Sequence, residues 1–121
     1  MDAIIYKVLQ KKEWDIFQNH EEYEGAPIDL QDGYIHFSTA QQLQETVTKH
    51  FKNTGDLMLL AIDVTSLDSK SLKWEPSRGG ALFPHLYGCL KRSAVAQTWV
   101  LTQQADGGHS IPADIMKKKG L

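Results

Sequence analysis

Glu75, Arg78, His85 and Tyr87 fall within one short stretch, Leu72-Lys-Trp-Glu-Pro-Ser-Arg-Gly-Gly-Ala-Leu-Phe-Pro-His-Leu-Tyr-Gly88. The turn from Pro76 to Gly80 within it has little core-forming content, and the stretch gathers groups that carry charge, orient a ligand and donate hydrogen bonds. Arg78 sits beside Gly79 and Gly80, on a backbone free to take positive φ and bring N–H groups close to a bound anion. Its guanidinium can fork onto a carboxylate or phosphate, or pair with Glu75 across the turn. Phe83 and Pro84 supply an apolar wall beside His85 and Tyr87, whose imidazole and phenol suit a ribose or an amide.

A second group precedes it in Tyr34-Ile-His-Phe-Ser-Thr39. In a strand, Ile35 and Phe37 point into the core while Tyr34 and His36 share the other face. The helix expected next places His36 just before free N–H groups and a partial positive charge, a setting for phosphate or carboxylate. Ser38 and Thr39 serve there as helix caps or as ligand hydroxyls. His36, His85 and Glu75 lack the short spacings of metal sites, such as H-E-x-x-H or paired cysteines, and no metal is expected. The Gly-x-Ser-x-Gly elbow and the glycine-rich phosphate loops are absent too.

The elements that must position these groups follow from periodicity. Ala3–Leu9 reads as a strand with Ile4, Tyr6 and Val8 on one face and Ile5 on the other. Trp14 and Phe17 mark a short helix over Lys11–Gln18. Asn19–Asp32, acidic and rich in turn residues, reads as a solvated surface loop. Ala40, Leu43, Val47 and Phe51 make one helical stripe, started by a capping box of Ser38 with Gln41 or Thr39 with Gln42 and stopped near Gly55. Leu57–Ile62 is an unbroken apolar run, expected as a central strand covered on both faces. Ser71–Glu75 is a short strand with Leu72 and Trp74 inward and Lys73 and Glu75 toward the site. Ala94–Leu101 is the last strand, Asp106-Gly-Gly-His109 a turn, and Pro112–Leu121 a basic tail.

The chain has 121 residues, a net charge of -2 and one cysteine, Cys89. That size suits one domain over 1–121, with a core of about 3–101 and a C-terminal extension over 102–121. The charge argues against nucleic-acid binding through bulk electrostatics. No apolar run reaches membrane-spanning or signal-peptide length, so no membrane partner is expected and a reducing cytoplasm is the expected compartment. Cys89, between Gly88 and Leu90, reads as a small buried core residue. Nothing in composition or pattern sets an oligomeric state or names a cofactor.

Gly33-Tyr-Ile-His-Phe-Ser-Thr39, Leu72-Lys-Trp-Glu75, Ser77-Arg-Gly-Gly80 and Phe83-Pro-His-Leu-Tyr-Gly88 together resemble the domain-of-unknown-function 952 family, over about Ile4 to Leu101. That family has no established activity and is grouped by fold with the ADP-ribosyltransferases. The resemblance therefore implies an α+β architecture of small split antiparallel or mixed sheets with a few short helices, and NAD as a candidate substrate. It implies that His36 and Ser38 hold a ribose and an amide, that Tyr87 stacks on the nicotinamide, and that Glu75 is the catalytic carboxylate beside His36. The chain departs from the transferases in having no glutamate after Glu75.

The leading expectation is thus a cleft for NAD, ADP-ribose or another phosphate-bearing nucleotide. Tyr34, Ser38, Thr39, Arg78, Gly79, Gly80, His85 and Tyr87 would bind it. Two other classes compete. His36-Phe-Ser38 matches the His-x-Ser/Thr element of two-histidine phosphoesterases, although His85-Leu-Tyr87 does not repeat it. A non-catalytic module that binds a small ligand or peptide would use the same cluster without turnover.

Overall fold

The computed structural model describes residues 3–115; Met1, Asp2 and residues 116–121, together with the side chain of Arg78, lie outside the described residues. The chain opens with β1 (Ile4–Gln10) and α1 (Lys11–Phe17), continues through β2 (Glu22–Tyr23), α2 (Pro27–Asp32) and β3 (Ile35–His36), and reaches α3 (Leu43–His50). It then runs through β4 (Leu57–Asp63), β5 (Leu72–Pro76), β6 (Leu82–Leu86), β7 (Leu90–Lys91) and β8 (Val95–Leu101). This is an α+β fold of small antiparallel sheets and short helices.

One sheet has the order β1-β4-β8, a second β3-β6-β5, and β2 pairs with β7. The apolar run Leu57–Ile62 lies at the centre of the first sheet, between β1 and β8. The alternation of side chains splits its contacts between two cores. Ile5, Leu9, Leu60 and Ile62 face Trp14 and Phe17 of α1, Ile35 and Phe37, and Leu86 of β6. Tyr6, Val8, Leu57 and Leu59 face Leu43 and Val47 of α3 together with Ile111 and Ile115. The expectation for β1, with Tyr6 and Val8 opposed to Ile5, therefore holds. The basic end of the tail falls on residues 116–121, outside the described residues.

The residues after β3 join the two sheets. Phe37 N–H donates to the Pro84 carbonyl at 3.0 Å, on the β6 side, while Ser38 and Tyr6 exchange backbone hydrogen bonds of 2.9 and 2.8 Å on the β1 side. Two readings of this junction need correction. Ser38 is no helix cap: its hydroxyl pairs with Thr46 Oγ1 at 2.9 Å, because the bridge to Tyr6 turns it toward α3. The helix starts at Leu43, after a turn closed by Thr39 and Gln42. Thr39 N–H donates to Gln42 Oε1 at 3.0 Å, and Gln42 N–H donates to Thr39 Oγ1 at 3.3 Å. The reciprocal pair foreseen for Thr39 and Gln42 thus closes the lead-in turn.

Asn19–Asp32 is not simply a solvated loop. It holds β2 and α2, and Asp29 in α2 is 1% exposed. Pro27 supplies the fixed φ suited to a first helical turn. Gly33 ends the helix in the left-handed region at φ 90°, donating from its N–H to the Asp29 carbonyl at 2.9 Å. Cys89 is exposed, correcting its assignment to the core. It follows the bend at Tyr87-Gly88, which leads the chain out of β6 at the surface. Partial desolvation, with Glu22 and Glu24 nearby, pushes its thiol up.

Thr39→Ala removes one arm of the reciprocal turn and is expected to lower stability by about 0.5–2 kcal/mol. Gln41→Ala, at an exposed neighbour, should be near neutral. Urea denaturation of the two variants checks this.

Candidate functional site

In the second sheet His36 of β3 lies directly opposite His85 of β6, and Glu75 of β5 is paired with Phe83 two residues before His85. This register puts His36, His85 and Glu75 on one face, because Ile35 and Leu86 of the adjacent pair turn inward to the core. Tyr34 and Tyr87 flank the strands on the same side. The Tyr34 ring stacks on His85 with centroids 4.3 Å apart, and stands 4.7 Å from His36 and 5.1 Å from Tyr87. The two imidazoles are 5.3 Å apart, edge to face. Four of the residues singled out in the sequence therefore meet, although a long stretch of chain separates Tyr34 and His36 from His85 and Tyr87.

Each histidine is oriented by a carboxylate on Nδ1. Glu75 Oε1 accepts from His85 Nδ1 and from the Tyr87 hydroxyl, both at 2.8 Å. These bonds hold the Glu75 carboxyl below its usual range, the one from His85 contributing most. The same contact raises the Tyr87 phenol. Burial, with Asp32 and Glu75 adding to it, raises that of Tyr34. With Nδ1 taken by Glu75, Nε2 is the His85 ring nitrogen left to meet a ligand.

His36 is held by a group the sequence reading missed. Asp29 Oδ1 accepts from His36 Nδ1 at 2.6 Å and from His36 N–H at 3.1 Å. Asp29 Oδ2 accepts from Lys7 Nζ and from Ala26 N–H, both at 2.8 Å. Lys7 Nζ also donates to the His36 carbonyl at 3.0 Å. Burial alone would push the Asp29 carboxyl up. The His36 hydrogen bond and the Lys7 charge outweigh it and bring the carboxyl down to about 2 from an ordinary 3.8. Burial pulls Lys7 the other way, below the usual ammonium range, against the attraction of Asp29. His36 Nε2 meets Asp32 Oδ2 at 3.0 Å.

Two signals in the sequence pointed to this network. Lys7 interrupts an apolar strand, and Asp29 stands two residues after Pro27, where a first-turn carboxylate can reach back to the helix start.

A cleft of about 620 Å³ opens beside the pair, bordered by Lys7, Asp29, Asp32, His36, Ser38 and His85, among others. Thr39 turns instead to Gln42. Gly79 and Gly80 adopt φ of 64° and 81°, and Gly80 N–H donates to the Ser77 carbonyl at 2.9 Å inside its own turn. That bond withdraws the Gly80 N–H from the anion-binding role expected of it. The proposed partnership of Arg78 with Glu75 involves a side chain outside the described residues. Among those described, no group of three His, Cys, Asp or Glu is placed to hold a metal ion, and no helix is long and apolar enough to cross a membrane.

The chain is a small α+β domain with His36 and His85 on the wall of a cleft. The chain belongs to the family described as Protein of unknown function (DUF952), whose model matches residues 8–98. It is similar to the crystal structure of protein CC0527 from Caulobacter crescentus. That match has 42% identity, 93% of this chain and 98% of that one covered, and a TM-score of 0.87. A crystal structure of a double mutant of CC0527 gives the same values. Its solution NMR structure matches at 45% identity over 88% of this chain and 91% of that one, with a TM-score of 0.77. No curated protein matches the chain.

Asp29 gives the site an acid limb of stability. Its folded pKa lies below the ordinary value, so its contribution is complete above about 4 and is lost as pH falls through about 2. The shift corresponds to about 2–3 kcal/mol. In urea titrations, the stability difference between the protein and Asp29→Asn is expected to shrink by about that amount on acidification through this window.

Proposed function

We propose that the cleft binds a phosphate-bearing nucleotide of the NAD or ADP-ribose type, in an ADP-ribosyltransferase-like arrangement of split sheets. The observation that carries this reading is the convergence of Tyr34, His36, His85 and Tyr87 on one face beside a cleft of about 620 Å³. That volume falls within the range of about 300–1,000 Å³ common for small-molecule sites. The aromatic rings beside the cleft offer a surface for a flat heterocycle at its edge, and His85 Nε2, on its wall, offers a polar partner for a sugar hydroxyl.

Glu75 fits a supporting role better than the transferase one. Its Oε1 already accepts from His85 and Tyr87. A carboxylate that accelerates glycosidic cleavage must instead meet the charge developing on the sugar. Binding is therefore the primary activity in this reading, and ADP-ribosyl transfer is secondary.

A second reading rests on a separate observation. His36 and His85 are cross-strand partners, and each has a carboxylate on Nδ1. This suits acid–base work on a phosphoester, with one ring accepting a proton and the other donating one.

Titration of NAD and ADP-ribose into isotope-labelled protein should give saturable shifts at Tyr34, His36, His85 and Tyr87. His85→Gln should weaken binding about 5- to 30-fold, the equivalent of one lost hydrogen bond in a polar site. Absence of shifts at millimolar ligand overturns the nucleotide reading. Turnover of bis(p-nitrophenyl) phosphate that is lost in both His36→Gln and His85→Gln would favour the phosphoester reading instead.

A further inference from the structure

The two histidines differ in what their outward nitrogens meet. His85 has a carboxylate on Nδ1 alone, whereas His36 has one on each ring nitrogen: Asp29 Oδ1 at 2.6 Å and Asp32 Oδ2 at 3.0 Å. Only the Asp29 contact has hydrogen-bond geometry; Asp32 meets Nε2 as a close charge-pair contact alone.

The two contacts are unequal in kind. Asp29 is sealed in the protein, its side chain 0% exposed, and is fixed by Lys7 and two backbone N–H groups as well as by His36. Asp32 is the last residue of α2, and its side chain is 36% exposed. An ion pair in such a position contributes little and exchanges readily with solvent or another anion.

We propose that His36 Nε2 is an oxyanion subsite, occupied in the unliganded protein by the Asp32 carboxylate as an internal stand-in, and that a phosphate or carboxylate of the incoming ligand displaces it. Asp32 and His36 both border the cleft, so the exchange takes place at its wall. The charges facing the ring support an anion there. Lys7 and Asp29 offset one another, and Tyr34 and His85 present ring surfaces. Once Asp32 swings out, His36 Nε2 opens onto the cleft while Asp29 stays on Nδ1. A buried carboxylate behind the ring and an exchangeable one in front is the arrangement expected of a ring nitrogen held ready for a ligand.

The inference rests on the nucleotide reading only for the source of the oxyanion, and the test keeps the two apart. Binding of inorganic phosphate, ADP and ADP-ribose is measured by calorimetry near neutral pH and at constant ionic strength. The proteins compared are the native chain, Asp32→Ala, Asp32→Asn and the double variant Asp32→Ala/His36→Gln.

Removing the internal carboxylate should tighten phosphate and ADP by about three- to tenfold, with Asp32→Asn following in the same direction. The gain should disappear in the double variant. Unchanged or weaker phosphate binding in both Asp32 variants overturns the proposal, as does a gain that survives loss of His36. If phosphate tightens but ADP-ribose binds none of the proteins, the subsite stands and the nucleotide reading fails. If the nucleotides bind the native chain and no Asp32 variant tightens phosphate or ADP, the reverse holds.

Discussion

The buried ion pair between Lys7 and Asp29 is the interaction on which the arrangement of the site depends. It ties β1 to α2, and through the further bonds of each partner it fixes β3, since Lys7 reaches the His36 carbonyl and Asp29 reaches the His36 N–H and ring. Taking two charges out of water is costly, and their mutual attraction offsets this only when the remaining donors and acceptors are satisfied. Here Asp29 accepts four hydrogen bonds, which explains why a carboxylate survives in the interior. An apolar pair of similar volume could fill the space, but would not orient an imidazole. Gly25 belongs to the same arrangement: its φ is 130°, and a Cβ built there would lie 2.5 Å from Asp29 Cβ.

The two carboxylate–histidine couples act in different surroundings. Asp29 is enclosed and cannot leave its histidine, whereas the Glu75 side chain is 35% exposed and shared with Tyr87. Solvent reaches the Glu75 end of the couple, and the stacking of Tyr34 on His85 holds the ring from a second side. A site built this way has one rigid histidine wall and one that can adjust with its tyrosines.

Much of this was legible in the sequence. The apolar run Leu57–Ile62 read as a central strand because residues covered on both faces leave no polar alternation. The convergence of His36 with His85 and Tyr87 followed from strand parity, which places every second residue on one face. What the sequence concealed was long-range pairing of charge. Asp29 stood in an acidic, turn-rich stretch where carboxylates are ordinarily solvated, and nothing local revealed that Lys7, on β1, would cover it. Cys89 was misread for the opposite reason. Small neighbours suggest packing, but the chain bends outward at that point. Ser38 and Thr39 both carried capping chemistry; the bridge to Tyr6, a tertiary contact, turned Ser38 away, and Thr39 uses it on the turn before the helix rather than on the helix itself.

The stitching of residues 37 and 38 to both sheets bears on how the cleft admits anything. Phe37 is bonded to β6 and Ser38 to β1, so the sheets share a continuous hydrogen-bonded seam at the base of the opening. Drawing the sheets apart would strip backbone groups of their partners with no water in place to receive them. The wall of the cleft at Phe37 and Ser38 is therefore fixed by main-chain bonding to both sheets, independently of what its side chains meet.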